Sequence, residues 1–172
     1  TDARDQALLR STWSEDFESL YRMGSRMYLH IFRTNPTIKD LFPWIAQYEK
    51  AGHYFTDSPE FRTQALRLVQ TLAKVVENVT RLEGVEGYLY KLGHRHVGYL
   101  ADGLQTQYWT VFQIAMDTLL VEKMNGLSNL SKADRDRAIL VWKDVVAYVN
   151  YHMKTGYEDG LKGINKYSTG II

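Results

Sequence analysis

Cysteine is missing from all 172 residues. Its absence excludes disulfides, thiolate metal sites, cysteine-ligated iron–sulfur clusters and a cysteine nucleophile. It fits a reducing compartment, and a cytoplasmic protein is expected. Proline is scarce: Pro36, Pro43 and Pro59 are the only three, all early in the chain and each suited to a helix boundary. Apolar runs stay well short of the ~20 residues a membrane-spanning helix needs. Neither sign of charge dominates, since 21 Lys and Arg face 20 Asp and Glu for a net +1. The chain therefore has no electrostatic footprint for nucleic acid or an anionic membrane. Strand alternation, internal repeats, a phosphate loop and a signal peptide are all lacking. The chain opens on Thr1 rather than Met, which suggests a processed form or a piece of a longer protein.

What is present reads as helix. Hydrophobic residues make up 45% and charged residues 24%, the balance of a globular domain with a full core. Apolar positions recur at three- and four-residue steps. A first helix is predicted from about Ala3 to Leu20, with Leu9, Thr12, Trp13, Phe17 and Leu20 inward. A second follows over Tyr21 to Thr34, facing inward through Gly24, Met27, Tyr28, Ile31 and Phe32. Mid-helix Gly24 costs about 1 kcal/mol against Ala, so a close helix crossing is expected there. A short turn covers Thr37 to Leu41, and the chain to Thr56 reads as irregular. Asp57-Ser58-Pro59-Glu60 then opens a long helix to about Arg81. After a connection at Glu83 to Glu86, a short helix is predicted over Tyr88 to Val97 and a corner over Gly98 to Thr106, with Asp102-Gly103 as its turn. Two more helices are predicted, Gln107 to Lys123 and, capped by Ser131, a last one to about Lys154. Residues 156–172 read as a tail, partly helical around Tyr157 to Lys162.

The chemistry centres on Leu92-Gly93-His94-Arg95-His96. Two residues on a helix are turned by about 200°, so only one of the two imidazoles can point inward. His96 shares a face with Leu92 and is the inward candidate; His94 lies on the polar side with Tyr90 and Lys91. An inward imidazole on a short apolar helix suits an axial ligand of haem iron. The plainer alternative is a hydrogen-bonded core histidine, and the segment alone leaves both open. Zinc-type histidine spacing, serine triads and paired cleft carboxylates have no local support.

Trp13, Tyr28, Phe32, Pro36, Phe42, Gln64 and His96 keep a register along the chain that resembles the globin family. Trp13 matches the first-helix tryptophan. Phe32 and Pro36 match the end of the second helix and its proline. Phe42, in Asp40-Leu41-Phe42, matches the phenylalanine that stacks on haem. The segment ending at His96 looks like the neuroglobin-type proximal segment. Gly24 and Ala65 match the paired small residues where the second and the long distal helix cross. The resemblance implies a globin fold, seven to eight helices around a haem pocket, over residues 1–155, with 156–172 outside its core. It also implies haem b, iron protoporphyrin IX, with His96 as the iron's proximal ligand.

The most familiar globins carry a distal histidine where this chain has Gln64. The Tyr28/Gln64 pair resembles certain nematode-type haemoglobins of very high oxygen affinity. The expected function is reversible binding of oxygen, and of other diatomic gases, for transport or sensing; the chain is not expected to be an enzyme, with nitric oxide dioxygenation a secondary activity at most. Leu68 and Leu92 are expected to bound the cavity and Arg67 to reach a haem propionate. His53, in the irregular stretch, is the candidate sixth ligand of a bis-histidyl alternative acting in electron transfer, redox or gas sensing. A haem-free interaction module is the third class, and a homodimer is the assembly that the tail and the surface tyrosines could support.

Overall fold

The structure, a computed structural model, describes residues 2–99 and 106–167. Those residues form seven α-helices: α1 (Ala3–Thr12), α2 (Phe17–Thr34), α3 (Pro43–Lys50), α4 (Pro59–Glu77), α5 (Glu83–Tyr99), α6 (Thr106–Asn125) and α7 (Lys132–Leu161). Two 3-10 turns, Pro36–Leu41 and Phe55–Asp57, flank α3. The expected corner at residues 100–105 lies outside the described residues.

Local chemistry explains most boundaries. Asp2, Asp16, Ser58 and Ser131 each cap a helix by accepting a backbone N–H at its first turn. The Asp16 cap is why α1 does not run on to Leu20. The chain leaves the helix at Trp13, which is extended, and restarts at Phe17. Phe17 consequently stands exposed and stacks on Tyr21, instead of facing inward as its spacing suggested. The stretch expected to be irregular holds α3, with Pro43 in its first turn and Ile45 buried.

The helices pack in layers. α2 crosses α4, α6 lies against both α2 and α7, and α1 docks on α7. A single cluster joins Leu9, Ile31, Phe61, Leu72, Val75, Leu89, Met124 and Trp142. At the α1–α7 contact the Trp142 indole donates to the Thr12 hydroxyl at 2.7 Å, and Arg137 pairs with buried Asp5 through two bonds of 2.7 Å.

α5 and α7 make the closest crossing. A Cβ on Gly93 would collide with the carbonyl of Met153, and one on Gly156 with that of Tyr90. Only glycine lets these backbones touch. The predicted end of the core at residue 155 therefore falls inside α7, which runs on to Leu161 with Gly156 and Tyr157 buried. No helix among the described residues is long and apolar enough to cross a membrane.

Candidate functional site

α5 begins at Glu83, earlier than expected, and carries His96 close to its C-terminal end. The half-buried ring bonds through Nδ1 to the Leu92 carbonyl oxygen at 2.7 Å. A carbonyl only accepts, so Nδ1 holds the proton and the neutral ring keeps its lone pair on Nε2. Burial lowers the pKa of His96, outweighing the Leu92 bond, which raises it; the Arg95 charge lowers it further. The imidazole is thus held neutral, in a tautomer suited to ligating metal. Leu92 supplies both a half-buried side chain and this orienting carbonyl. His94, expected in solvent, is half-buried instead, and its Nε2–H donates to the Ile164 carbonyl at 3.1 Å.

A second group of residues forms where α2 crosses α4. A Cβ on Gly24 would run into the Ala65 carbonyl, so the two backbones meet there, as the mid-helix glycine foretold. One turn past Gly24 stands Tyr28, only 6% exposed. Beside Ala65 stands half-buried Gln64, whose Nε2–H donates to the Tyr28 hydroxyl oxygen at 2.9 Å. Burial raises the Tyr28 pKa, outweighing the Gln64 bond and the Arg67 charge, which lower it. The phenol is therefore kept protonated, with its own hydrogen available to a further acceptor. Phe42 meets Tyr28 edge-on, ring centroids 6.2 Å apart, and Phe32 at 5.6 Å. Leu68, a turn beyond Gln64, is half-buried against the core, while Arg67 is exposed.

His53 is exposed in the bend after α3. Its backbone N–H donates to the Tyr48 carbonyl at 2.9 Å. No hydrogen bond or ring contact of its side chain occurs among the described residues, so the structure does not bring it to Tyr28 or Gln64.

α6 ties the two groups together. Phe112 stands edge-on to Tyr28 at 6.2 Å, and Trp109 is tilted against His96 at 6.2 Å. These two residues are about 4.5 Å apart along the helix axis. Trp109 is 5% exposed, packs on Tyr157 at 5.7 Å, and has no hydrogen-bond partner for Nε1 among the described residues. Trp109 was not among the residues singled out from sequence. Its place one turn before inward-facing Phe112 was the available signal.

Among the described residues, no three or more His, Asp or Glu side chains gather to hold a metal ion. The fold and site thus define a class: an all-α protein in which a neutral imidazole and a phenol–amide pair are joined through aromatic residues on one turn of α6. The chain belongs to the globin family, whose model matches residues 25–151 and so takes in Tyr28, Phe42, Gln64, Leu68, Leu92 and His96. Its fold is similar to that in the crystal structure of a hexacoordinated haem protein from an anhydrobiotic tardigrade at pH 4. The two share 21% sequence identity over 92% of this chain and 96% of that one, with a TM-score of 0.72.

Proposed function

We propose that the chain holds haem b through His96 Nε2 and binds oxygen reversibly on the face lined by Tyr28 and Gln64. One observation carries this reading: a neutral imidazole and a hydrogen-bonded phenol–amide pair both contact the same turn of α6. The donor set fits the group. His96 has its unprotonated nitrogen at Nε2, Phe42 and Trp109 offer aromatic surface, and the buried Trp109 N–H, without a partner among the described residues, is a donor that a polar acceptor would satisfy. Haem supplies a ferrous iron able to take up a diatomic gas.

The remaining chemistry belongs to the chain. The Leu92 carbonyl fixes the imidazole tautomer and orients the ring. Gln64 donates to Tyr28, which polarises the phenol and directs its hydrogen away from Gln64. A partly negative bound ligand would accept that hydrogen, at about 1–2 kcal/mol in a low-dielectric pocket. Leu68 and Phe42 keep water from this face. Arg67, exposed beside Tyr28, is suited to a haem propionate. The reading makes the protein a gas carrier in the cytoplasm rather than an enzyme.

A second reading rests on His53, whose exposed ring follows Gly52 at φ 75° in a bend outside the helices. Folding of that bend inward would supply a sixth ligand and redox or sensing chemistry. Reconstitution with haemin, followed by ferric, deoxy-ferrous and CO-bound absorption spectra, tests both readings. A five-coordinate deoxy band that His96→Ala abolishes is expected. A six-coordinate deoxy spectrum lost in His53→Ala would select the second reading. Absence of any Soret band would defeat both.

A further inference from the structure

Residues 156–167, the C-terminal end of α7 and the chain that follows it, lie beyond the matched family span and pack on the helix that bears His96. Their attachment is polar and specific. The buried Tyr90 hydroxyl donates to the Asp159 carboxylate at 2.5 Å and accepts from the Lys166 backbone N–H at 3.2 Å. Burial and then the Asp159 carboxylate raise the Tyr90 pKa, so the phenol remains a donor. Lys166 Nζ pairs with Glu86 at 3.2 Å, and the Tyr167 ring stands edge-on to Tyr90 at 5.1 Å. The His94 ring reaches the Ile164 carbonyl. Each of these anchors falls on α5, and between Tyr90 and His94 lies Leu92, whose carbonyl orients the imidazole.

We infer that residues 156–167 brace α5 and set the pose of His96, with Tyr90 and Asp159 as a positioning pair. Gly93 and Gly156 set how closely α5 and α7 approach, and Gly160 seats the Val97 side chain one turn further on, but none of these contacts is directional. The hydrogen bond from Tyr90 to Asp159 adds a directional constraint. Charge assistance makes it one of the stronger contacts between the helices. Loosening it lets α5 turn, and the Leu92 carbonyl and the imidazole move with it. Neither Tyr90 nor Asp159 belongs to the main core cluster, so the pair can be broken while that core stays intact.

The inference rests on His96 as the haem ligand, and two measurements on the full chain keep the two claims apart. The first is amide hydrogen exchange of the haem-free chain. Tyr90→Phe and Asp159→Ala are each expected to speed exchange across residues 92–96 about tenfold, with Asp159→Asn, which keeps an acceptor, near wild type. The second is the iron–histidine stretching band of the deoxy-ferrous haemin-reconstituted chain, which the same two variants shift and Asp159→Asn largely restores. Helix content by circular dichroism is expected to stay unchanged. Unaltered exchange in both disruptive variants overturns the brace, as does an unaltered stretching band in chains that retain one. A wild-type chain without such a band, yet with the tenfold exchange response, supports the brace and removes the haem ligation instead.

Discussion

The Gln64 amide donates to the Tyr28 hydroxyl oxygen at 2.9 Å, joining residues 36 positions apart on crossing helices. A phenol and an amide can each donate to a ligand, but here they act in series. Gln64 serves Tyr28, and Tyr28 serves whatever acceptor enters. Replacing Tyr28 by Phe in the haemin-reconstituted chain should therefore raise the oxygen off-rate about five- to thirty-fold, the equivalent of losing 1–2 kcal/mol. Gln64→Leu should raise it less, since the phenol remains. Stopped-flow displacement of oxygen by CO measures both. Equal rates in wild type and Tyr28→Phe would remove the phenol from ligand binding.

Gly24→Ala should destabilise the protein by about 1–3 kcal/mol, because its Cβ would press on the Ala65 carbonyl and force α2 from α4. Gly84→Ala is the contrasting variant. Nothing lies within 4 Å of a Cβ there, so the helix-propensity gain of up to about 1 kcal/mol should show as stabilisation. Urea denaturation of the two variants should move the midpoint in opposite directions.

Thr12→Val keeps the shape of the side chain and removes the acceptor of the Trp142 indole N–H. Both residues are buried, Thr12 at 4% and Trp142 at 1% exposure, so the stranded donor should cost about 1–3 kcal/mol. A midpoint within error of wild type would show that the indole finds another acceptor.

Asp5 carries an acid-sensitive part of the stability. Its hydrogen bonds to Arg137 hold its carboxyl below the usual carboxylate range. A depressed folded-state pKa gives stability that is present above the unfolded value, about pH 4, and is lost as pH falls through the folded one. Asp5→Asn should therefore be less stable than wild type at neutral pH. The difference should shrink as pH is lowered below about 4. Thermal melts from pH 7 to pH 2 would reveal it, and a difference that stayed constant with pH would contradict it.

Particular residues show what the sequence could and could not disclose. The inward turn of His96 followed from helix geometry alone, and Gly24 announced the α2–α4 crossing, because an unexplained mid-helix glycine needs a neighbour close by. Gly156 obeys the same logic, although it opens the stretch that reads as a tail. It is a contact residue within α7, where a Cβ would strike the Tyr90 carbonyl. α3 escaped notice because eight residues show little periodicity, and its Ile45 is buried by tertiary packing that sequence does not display. The α1–α2 break was hidden by apolar spacing that runs on through Trp13 and Phe17, while the Asp16 side chain decided where the helix restarts. Trp109 was passed over since nothing in its local sequence marks the neighbouring His96.

The footing of Trp109 and Phe112 on one helical turn gives the interior a built-in gauge. The offset between those two footholds is a fixed property of the peptide repeat, about 1.5 Å for each residue, rather than of loop conformation. Sequence drift in the surrounding connections could reshape the entrance, yet the spacing between the imidazole-facing and phenol-facing footholds would persist for as long as α6 stays wound.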